Sequence, residues 1–127
     1  MVNKKEIQFN DKGYMLKCSI ATAEYFERLF GIKFGKTLSD IIKIQTIMAE
    51  GGEGIETMLD NVIEMETNIV KMAYCMIIEA KKDNYNADFN MTYDEFASTI
   101  SNLDPDTFKG VLAVATGLFP RKIQKDN

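Results

Sequence analysis

Apolar and polar residues alternate at the start of the chain, and this pattern predicts a β-hairpin. Two short runs, residues 7–9 and 14–18, place apolar side chains on one face and polar side chains on the other. The turn between them is expected at residues 10–13, where Gly13 can adopt a positive φ. Because two strands alone are marginally stable in water, we expect the apolar face of the hairpin to pack on helices.

From residue 20 onward the apolar positions recur at helical spacing and predict a series of helices. Thr22 is expected to cap a first helix that ends at Gly31. A break at residues 35–37 then separates it from a second, isoleucine-rich helix over 38–50. The glycine-rich segment 51–54 is a connection that is too short to separate two domains.

The strongest helical pattern covers residues 55–82, with a candidate break at 66–68. Residues 69–80 are apolar on nearly all sides, which is typical of a helix that is surrounded by other elements. We therefore expect this segment to lie at the centre of the core.

Two further helix starts follow the central helix. Thr92 and Glu95 form a T-x-x-E capping box, in which each side chain accepts a hydrogen bond from a backbone N–H of the first turn. Asp104 stands before Pro105, so that an N-cap acceptor precedes a proline at the first helical position. A single apolar stripe over residues 108–119 predicts a last helix that packs on the central one.

Together these elements predict a single α+β domain over residues 1–127 that is predominantly α-helical. An N-terminal β-hairpin (1–19) packs on a compact bundle of about five helices (20–120), and a polar tail (121–127) follows.

Composition and charge exclude several classes of function. The net charge of −4 and the pI of about 4.9 argue against a basic face, so we expect no nucleic-acid partner. No apolar run approaches the length that spans a bilayer, and none follows the basic residues near the N-terminus as it would in a signal peptide. We therefore expect a cytoplasmic protein with no membrane partner.

The residue types of catalysis and metal binding are scarce. The chain has no histidine, and Cys18 and Cys75 lack the spacing of a zinc site. Both thiols are expected to be reduced and buried. Since the common general base is missing, we expect neither enzymatic activity nor a bound cofactor or metal.

Two segments are similar to ligand-binding motifs. Residues 31–37 have the pattern G-x-x-x-G-K-T, but the segment is one residue shorter than a phosphate-binding loop and follows a helix instead of a strand. The favoured interpretation is therefore a helix end followed by a loop. Residues 84–95 place oxygen-bearing side chains at the ligand positions of an EF-hand loop, although Phe89 replaces its glycine and Asn84 its first aspartate. The ladder consists of Asn84, Asn86, Asp88, Asn90, Thr92 and Glu95. A degenerate calcium-binding module stays an alternative to a polar connection with helix caps.

Acidic residues and methionines mark candidate contact surfaces. Glu56, Asp60 and Glu64 recur every four residues, which is typical of a solvated helix face and, alternatively, of a contact for a basic partner. The 8 methionines fall mainly on apolar faces. Packing in the core is the main interpretation of these methionines, and a groove for a helical client is the other.

The order of these motifs resembles the C-terminal half of phage tail assembly chaperones. In that family, a buried apolar helix and a polar loop precede the pattern F-x-M-S/T-Y-x-E, a small helix, D-P-D/E and a final apolar helix. This chain has the first pattern at residues 89–95 and the second at 104–106. The N-terminal half is similar too, since a short hairpin leads into a helix that contains Tyr25 and Phe26 and ends at Gly31.

This resemblance implies a non-catalytic protein that binds the tape-measure protein of a long-tailed phage or prophage. It would keep that helical client soluble and help recruit tail-tube subunits during tail assembly. Self-association, or association with a frameshift-extended form of the same protein, is a further expected contact. A small helical adaptor of prophage origin, with another protein as its partner, is the remaining alternative.

We expect partner contacts at two places on the surface. One is the strand edge that carries Ile7 and Phe9, since unpaired backbone groups invite other chains. The other is the exposed apolar end of the last helix, with Leu118, Phe119 and Ile123.

Overall fold

The computed structural model describes residues 3–50 and 55–117, and this part of the chain contains two strands and five helices. The strands are β1 (Asn3–Phe9) and β2 (Lys12–Cys18), and the helices are α1 (Ile20–Phe30), α2 (Phe34–Glu50), α3 (Ile55–Lys81), α4 (Tyr93–Ser98) and α5 (Pro105–Thr116). The α+β, predominantly helical architecture predicted from the sequence is therefore confirmed.

The two strands form an antiparallel hairpin with a two-residue turn, because Phe9 lies opposite Lys12. The positive φ in this turn belongs to Asn10 (57°) and not to Gly13, which lies within β2 opposite Gln8. A Cβ atom on Gly13 would lie 2.5 Å from the Glu6 carboxylate, but this is the far end of an exposed side chain that can move aside, so space alone does not require glycine here. The predicted hairpin is confirmed, but the expected role of Gly13 is wrong.

Helix α1 begins two residues before the predicted cap. Ser19 is the N-cap residue, and Thr22 occupies the third helical position. The Thr22 hydroxyl accepts a hydrogen bond from the Ser19 N–H (3.0 Å) and donates one to the Lys17 carbonyl (3.1 Å). The buried Thr22 side chain thus links the end of β2 to α1 through hydrogen bonds. The end of α1 at Gly31 is as predicted, with φ of 73°.

Helix α2 begins at Phe34, so the break expected at residues 35–37 is wrong. The Phe34 ring packs edge-on against Phe26, with 5.4 Å between ring centroids, and the Phe34 N–H donates to the Glu27 carboxylate (3.3 Å). These contacts hold the first turn of α2 against α1, and tertiary packing outweighs the low helix propensity of Gly35.

Helix α3 is continuous over 27 residues, about 40 Å at the usual helical rise, and has no break at 66–68. Met65 and Ile69 are buried on either side of that segment and anchor it to the core. As predicted, α3 is the central element, because it contacts β2, α1, α2, α4 and α5.

One hydrophobic cluster takes residues from all seven elements. On one side α5 packs against β1 so closely that a Cβ atom on Gly110 would lie 2.5 Å from Ile7 Cδ1. On the other side, α1 and the first half of α2 cover α3 through Phe26, Phe34 and Leu38. Of the predicted stripe 108–119, Phe108, Val111 and Ala115 are buried; Leu118 and Phe119 lie outside the described residues.

No helix in the part of the chain that the structure describes has both the length and the apolar character needed to cross a membrane.

Candidate partner-binding groove

The two predicted contact residues on β1 belong to the core. Ile7 and Phe9 are 5% and 4% exposed, because α5 covers Ile7 and the Phe96 ring packs edge-on against Phe9 at 5.6 Å. Their side chains are therefore unavailable to a partner. The backbone groups at the edge of β1 are the part of this predicted contact site that a partner could still bind. Leu118, Phe119 and Ile123 lie outside the described residues, so their role stays a prediction.

Side chains from elsewhere in the fold bind both edges of the hairpin. The Asn86 carboxamide accepts from the Met15 N–H (2.9 Å) and donates to the Met15 carbonyl (2.8 Å) and the Ile77 carbonyl (3.1 Å). On β1, the Thr107 hydroxyl donates to the Gln8 carbonyl (2.6 Å). Asn86 thus pairs with Met15 as a third strand would, which reduces the capacity of β2 to recruit a strand from another chain.

Three of the six residues of the EF-hand ladder form side-chain hydrogen bonds within the protein. Asn86 binds β2, and the Thr92 hydroxyl and Glu95 carboxylate form the predicted capping box with each other's backbone N–H (3.2 and 2.9 Å). Phe89, at the position of the EF-hand glycine, is buried with its ring edge-on to Tyr14 at 5.3 Å.

Within residues 3–50 and 55–117, no three acidic or cysteine side chains lie close enough together to hold a metal ion. The contacts of Asn86, Thr92 and Glu95 favour the interpretation of residues 84–95 as a structural connection.

The G-x-x-x-G-K-T segment forms the corner between α1 and α2. Thr37 donates its hydroxyl proton to the Lys33 carbonyl (2.7 Å), and Lys36 forms an ion pair with Asp40 (3.2 Å). The predicted helix end at Gly31 is confirmed, but the loop expected after it is wrong, because residues 34–37 form the first turn of α2.

The two cysteines are buried, as predicted. Burial raises the pKa of the Cys18 thiol to about 12, with the nearby Glu79 carboxylate adding to the effect. Burial likewise raises the pKa of Cys75 to about 12, and Cys18 contributes. Neither thiol can supply a useful concentration of thiolate near neutral pH, so neither is a candidate nucleophile.

An apolar groove lies on the surface where α3 faces α4 and the loop that leads to α5. Its cavity has a volume of about 200 Å³. Its apolar lining consists of Ile63, Val70, Tyr93, Ala97, Ile100 and Leu103. Glu66 is the one charged residue in the lining, and Thr67, Ser101 and Asn102 are the polar ones.

The groove continues onto an exposed stripe of α3. Leu59 and Ile63 are 57% and 63% exposed, and with Val70 they lie at spacings of four and seven residues, on one face of the helix. Asp60 and Glu64 are exposed, as expected of the solvated acidic face. The apolar residues Leu59 and Ile63 beside them are exposed too, and among the described side chains of α3 the first buried one is Met65.

This arrangement suits the binding of a helix. An apolar stripe on a rigid helix, with a second apolar wall opposite, is the usual receptor for the apolar face of an amphipathic helix. Sequence reasoning missed the second wall. Tyr93, Ala97 and Ile100 have the i, i+4, i+7 spacing of a helix face, and that spacing was the signal from which the wall could have been found.

Comparison with known proteins gives no relative: no protein-family model matches the chain, and no curated protein or solved structure matches it significantly.

Proposed function

We propose that this protein is a non-catalytic tail assembly chaperone of a phage or prophage and acts in the bacterial cytoplasm. It binds helical segments of the tape-measure protein, keeps this client soluble and helps recruit tail-tube subunits. The observation that carries the proposal is the apolar groove beside α3, continued by the exposed side chains of Leu59 and Ile63. The motif order from residue 89 to 106 supports the choice of this family over other helix-binding proteins.

The groove fits the demands of such a client. A tape-measure protein is long and helical, so a chaperone must cover apolar stripes at many points without enclosing the chain. An open groove with apolar walls meets this demand, because it covers one face of a helix and leaves the other face in water. Exposed apolar residues in this contiguous arrangement mark an interaction site, whereas single exposed residues are common on any surface.

The test is co-expression of the tape-measure protein of the same phage with three forms of this chain: wild type, Ile63→Ser and Ile20→Ser. Ile20 is the matched control, because it is an equally apolar side chain, is 70% exposed and does not line the groove. Burial of one isoleucine contributes about 1.5–3 kcal/mol, so we expect Ile63→Ser to lower recovery of the soluble client at least tenfold. The Ile20→Ser variant should match the wild type.

The control on folding is the melting temperature of each variant, which should change little because both isoleucines are exposed. An aggregated tape-measure protein in the presence of the wild-type chain would overturn the proposal. Stoichiometric recovery of a different native partner, with no tape-measure protein, would replace it with the adaptor of prophage origin.

A further inference from the structure

We propose that the outer edge of β1 binds an extended segment of another protein, which adds to the hairpin as a third strand. The partner is recognised through its backbone and carries small or β-branched side chains at alternate positions. This site is separate from the groove beside α3, because the cavity next to β1 and the groove share no lining residue. The inference therefore does not depend on the proposed chaperone function.

Alternate residues of β1 direct their backbone groups away from β2. In an antiparallel hairpin with a two-residue turn, the pair that flanks the turn is hydrogen-bonded, and bonded pairs recur at every second position. Phe9 and Lys12 flank the turn, so every second residue before Phe9 belongs to a bonded pair and the residues between them face outward. The outward residues of β1 are Lys4, Glu6 and Gln8.

Contacts from other elements agree with this assignment. The Thr107 hydroxyl donates to the carbonyl of Gln8, which is one of the outward residues. The Asn86 carboxamide binds both backbone groups of Met15, which lies opposite Glu6 on β2. Residues of a non-hydrogen-bonded pair both direct their backbone groups away from the partner strand, so the backbone groups of Glu6 face outward too.

The two edges of the hairpin differ in how far they are covered. On β2, Asn86 occupies both outward groups of Met15, at the centre of the strand. On β1, the three outward residues carry six backbone N–H and C=O groups, and Thr107 occupies one of them, the Gln8 carbonyl. No other residue in the described part of the chain forms a hydrogen bond with these groups. The edge of β1 thus presents donors and acceptors at the spacing that an extended backbone matches.

A cavity of about 640 Å³ lies beside this edge and has room for an added strand. Residues 5–8 of β1 form one wall, and α5 forms the other, where Gly110 and Ala113 have no long side chain. A third strand would lie about 4.8 Å from β1 and alternate its side chains between the solvent and α5. Those on the side of α5 would lie over Gly110 and Ala113, a position that suits small or β-branched residues.

The charges at this site favour no net charge of the partner, because residues of both signs line the cavity. These residues are Lys5, Glu6, Asp104, Asp106 and Lys109. Affinity is therefore expected from backbone hydrogen bonds and from side-chain shape.

A second copy of β1 is a poor occupant of this edge. An antiparallel pair with its two-fold axis at Lys4, Lys5 or Glu6 places two like charges directly opposite each other, which is destabilising. An axis at Ile7 or nearer the turn needs the Gln8 carbonyl, which already accepts a hydrogen bond from α5. The added strand is therefore assigned to a different protein.

The experiment uses a short synthetic peptide in which threonine and valine alternate, together with two N-methylated forms of it. With the valines over α5, the threonine N–H groups face β1, and the valine N–H groups point away from it. Methylation of the threonine nitrogens removes the hydrogen bonds to β1 and should weaken binding to the full chain at least tenfold in an NMR titration. Methylation of the valine nitrogens should leave the affinity nearly unchanged. An equal effect of both modifications, or no binding of the unmodified peptide, would overturn the inference.

Hydrogen exchange measured by NMR locates the bound peptide. We expect the unmodified peptide to slow exchange of the outward amides of Lys4, Glu6 and Gln8. The amides of Lys5 and Ile7 are already bonded to β2 and should change little. Slowing without this alternation would contradict the addition of a strand.

Two variants of Glu6 test the edge from the side of the protein. Glu6→Pro removes an outward N–H that the hairpin does not use, a position at which an edge strand tolerates proline. Glu6→Thr is the matched control, because it also removes the charge but keeps the N–H. We expect the proline variant to bind the peptide at least tenfold more weakly and the threonine variant to bind like the wild type. Circular dichroism checks that both variants fold, and equal binding by two folded variants would overturn the inference.

Two further results identify another occupant of the edge. If the amides of Lys4, Glu6 and Gln8 are protected in the free chain at every concentration, residues of the same chain cover the edge. If this protection is lost on dilution, a second copy covers it, and either result overturns the inference. The Ile63→Ser variant should bind the strand peptide like the wild type, since Ile63 lies in the groove and not at this edge.

Discussion

At the scale of single residues, buried hydroxyl groups tie separate elements together. Thr22 donates to the Lys17 carbonyl of β2, and Thr107 donates to the Gln8 carbonyl of β1. Thr37 donates to the Lys33 carbonyl, directly before the start of α2. Every buried side-chain nitrogen and oxygen in the described residues has a hydrogen-bond partner. Such contacts help to specify the fold, because a buried polar group without a hydrogen-bond partner raises the free energy of the folded state.

Asn86 is the residue with the largest expected effect of this kind. Its φ of 54° is in the left-handed region, so Asn86→Gly removes the carboxamide without adding backbone strain. Loss of three hydrogen bonds, with Met15 and Ile77 left incompletely paired, should reduce the free energy of unfolding by about 2–4 kcal/mol. The measurement is urea denaturation followed by circular dichroism.

Asn84→Gly is the matched control for this substitution. Asn84 also has a positive φ (72°), but its side chain is exposed. This variant should therefore change the free energy of unfolding by less than about 1 kcal/mol. Equal losses for both variants would show that the carboxamide of Asn86 does not stabilise the fold.

At the scale of elements, the approach of α5 to β1 depends on the absence of a side chain at Gly110. A Cβ atom there would lie 2.5 Å from Ile7 Cδ1, and Ile7 is buried. Sequence analysis placed glycine only at turns and helix ends. Here a glycine inside a helix lets that helix lie close to a strand, which offsets the low helix propensity of glycine.

A double-mutant cycle tests this contact. Gly110→Ala alone should destabilise the protein by about 1–3 kcal/mol through overpacking. Ile7→Val removes the Cδ1 atom that the new methyl group would meet and should cost about 0.5–1.5 kcal/mol alone. We expect the double variant to be more stable than the sum of the two losses predicts. Additive losses in thermal denaturation would indicate that the two side chains do not compete for the same space.

The elements themselves could be predicted largely from the sequence, because their signals are local. The hairpin follows from period-two alternation, the starts of α4 and α5 from Thr92 and Pro105, and the end of α1 from Gly31. The start of α2 and the continuity of α3 could not be predicted in this way. The start of α2 depends on the tertiary contact of Phe34 with Phe26, and the continuity of α3 depends on the burial of Met65 and Ile69 on either side of 66–68. Neither contact can be predicted from the local sequence pattern.

The candidate site was harder to predict than the fold. Ile7 and Phe9 were chosen because an apolar strand at a sheet edge invites partners, yet α5 and Phe96 cover them. Leu59 and Ile63 lie at helical spacing beside the acidic face, and such apolar residues would ordinarily be covered, yet both are exposed. Amphipathic spacing identifies an apolar face, but whether that face is covered depends on the length of the neighbouring elements.

At the scale of the whole molecule, α3 belongs to two environments. Residues 69–77 are buried almost throughout, whereas residues 59–64 are exposed or half-buried. The second half of α2 is similar, because its last buried residue is Ile41. Regions with few buried apolar contacts open at a lower free energy than the core does.

Hydrogen exchange should therefore divide α3 into two parts. We expect amides of residues 59–64 and 43–50 to exchange through local opening, at least a hundredfold faster than those of 69–77. The core amides should exchange only when the whole molecule unfolds. Exchange–mass spectrometry provides the measurement, and uniform protection along α3 would contradict the division. Addition of a bound helical peptide should slow exchange in 59–64 more than in 43–50, which lies outside the groove lining.

The pairing between Asn86 and β2 has a consequence for chemical ageing. Hydrolysis of this carboxamide to a carboxylate would preserve the shape of the side chain but replace its N–H donors with an oxygen atom. That oxygen would face the carbonyls of Met15 and Ile77, so two hydrogen bonds would become two repulsive contacts. The edge of β2 at Met15 would keep the hydrogen bond from its N–H but lose the one to its carbonyl, so strands of other molecules could pair with this edge more readily. One side-chain nitrogen atom of Asn86 therefore helps to keep this edge from recruiting other chains.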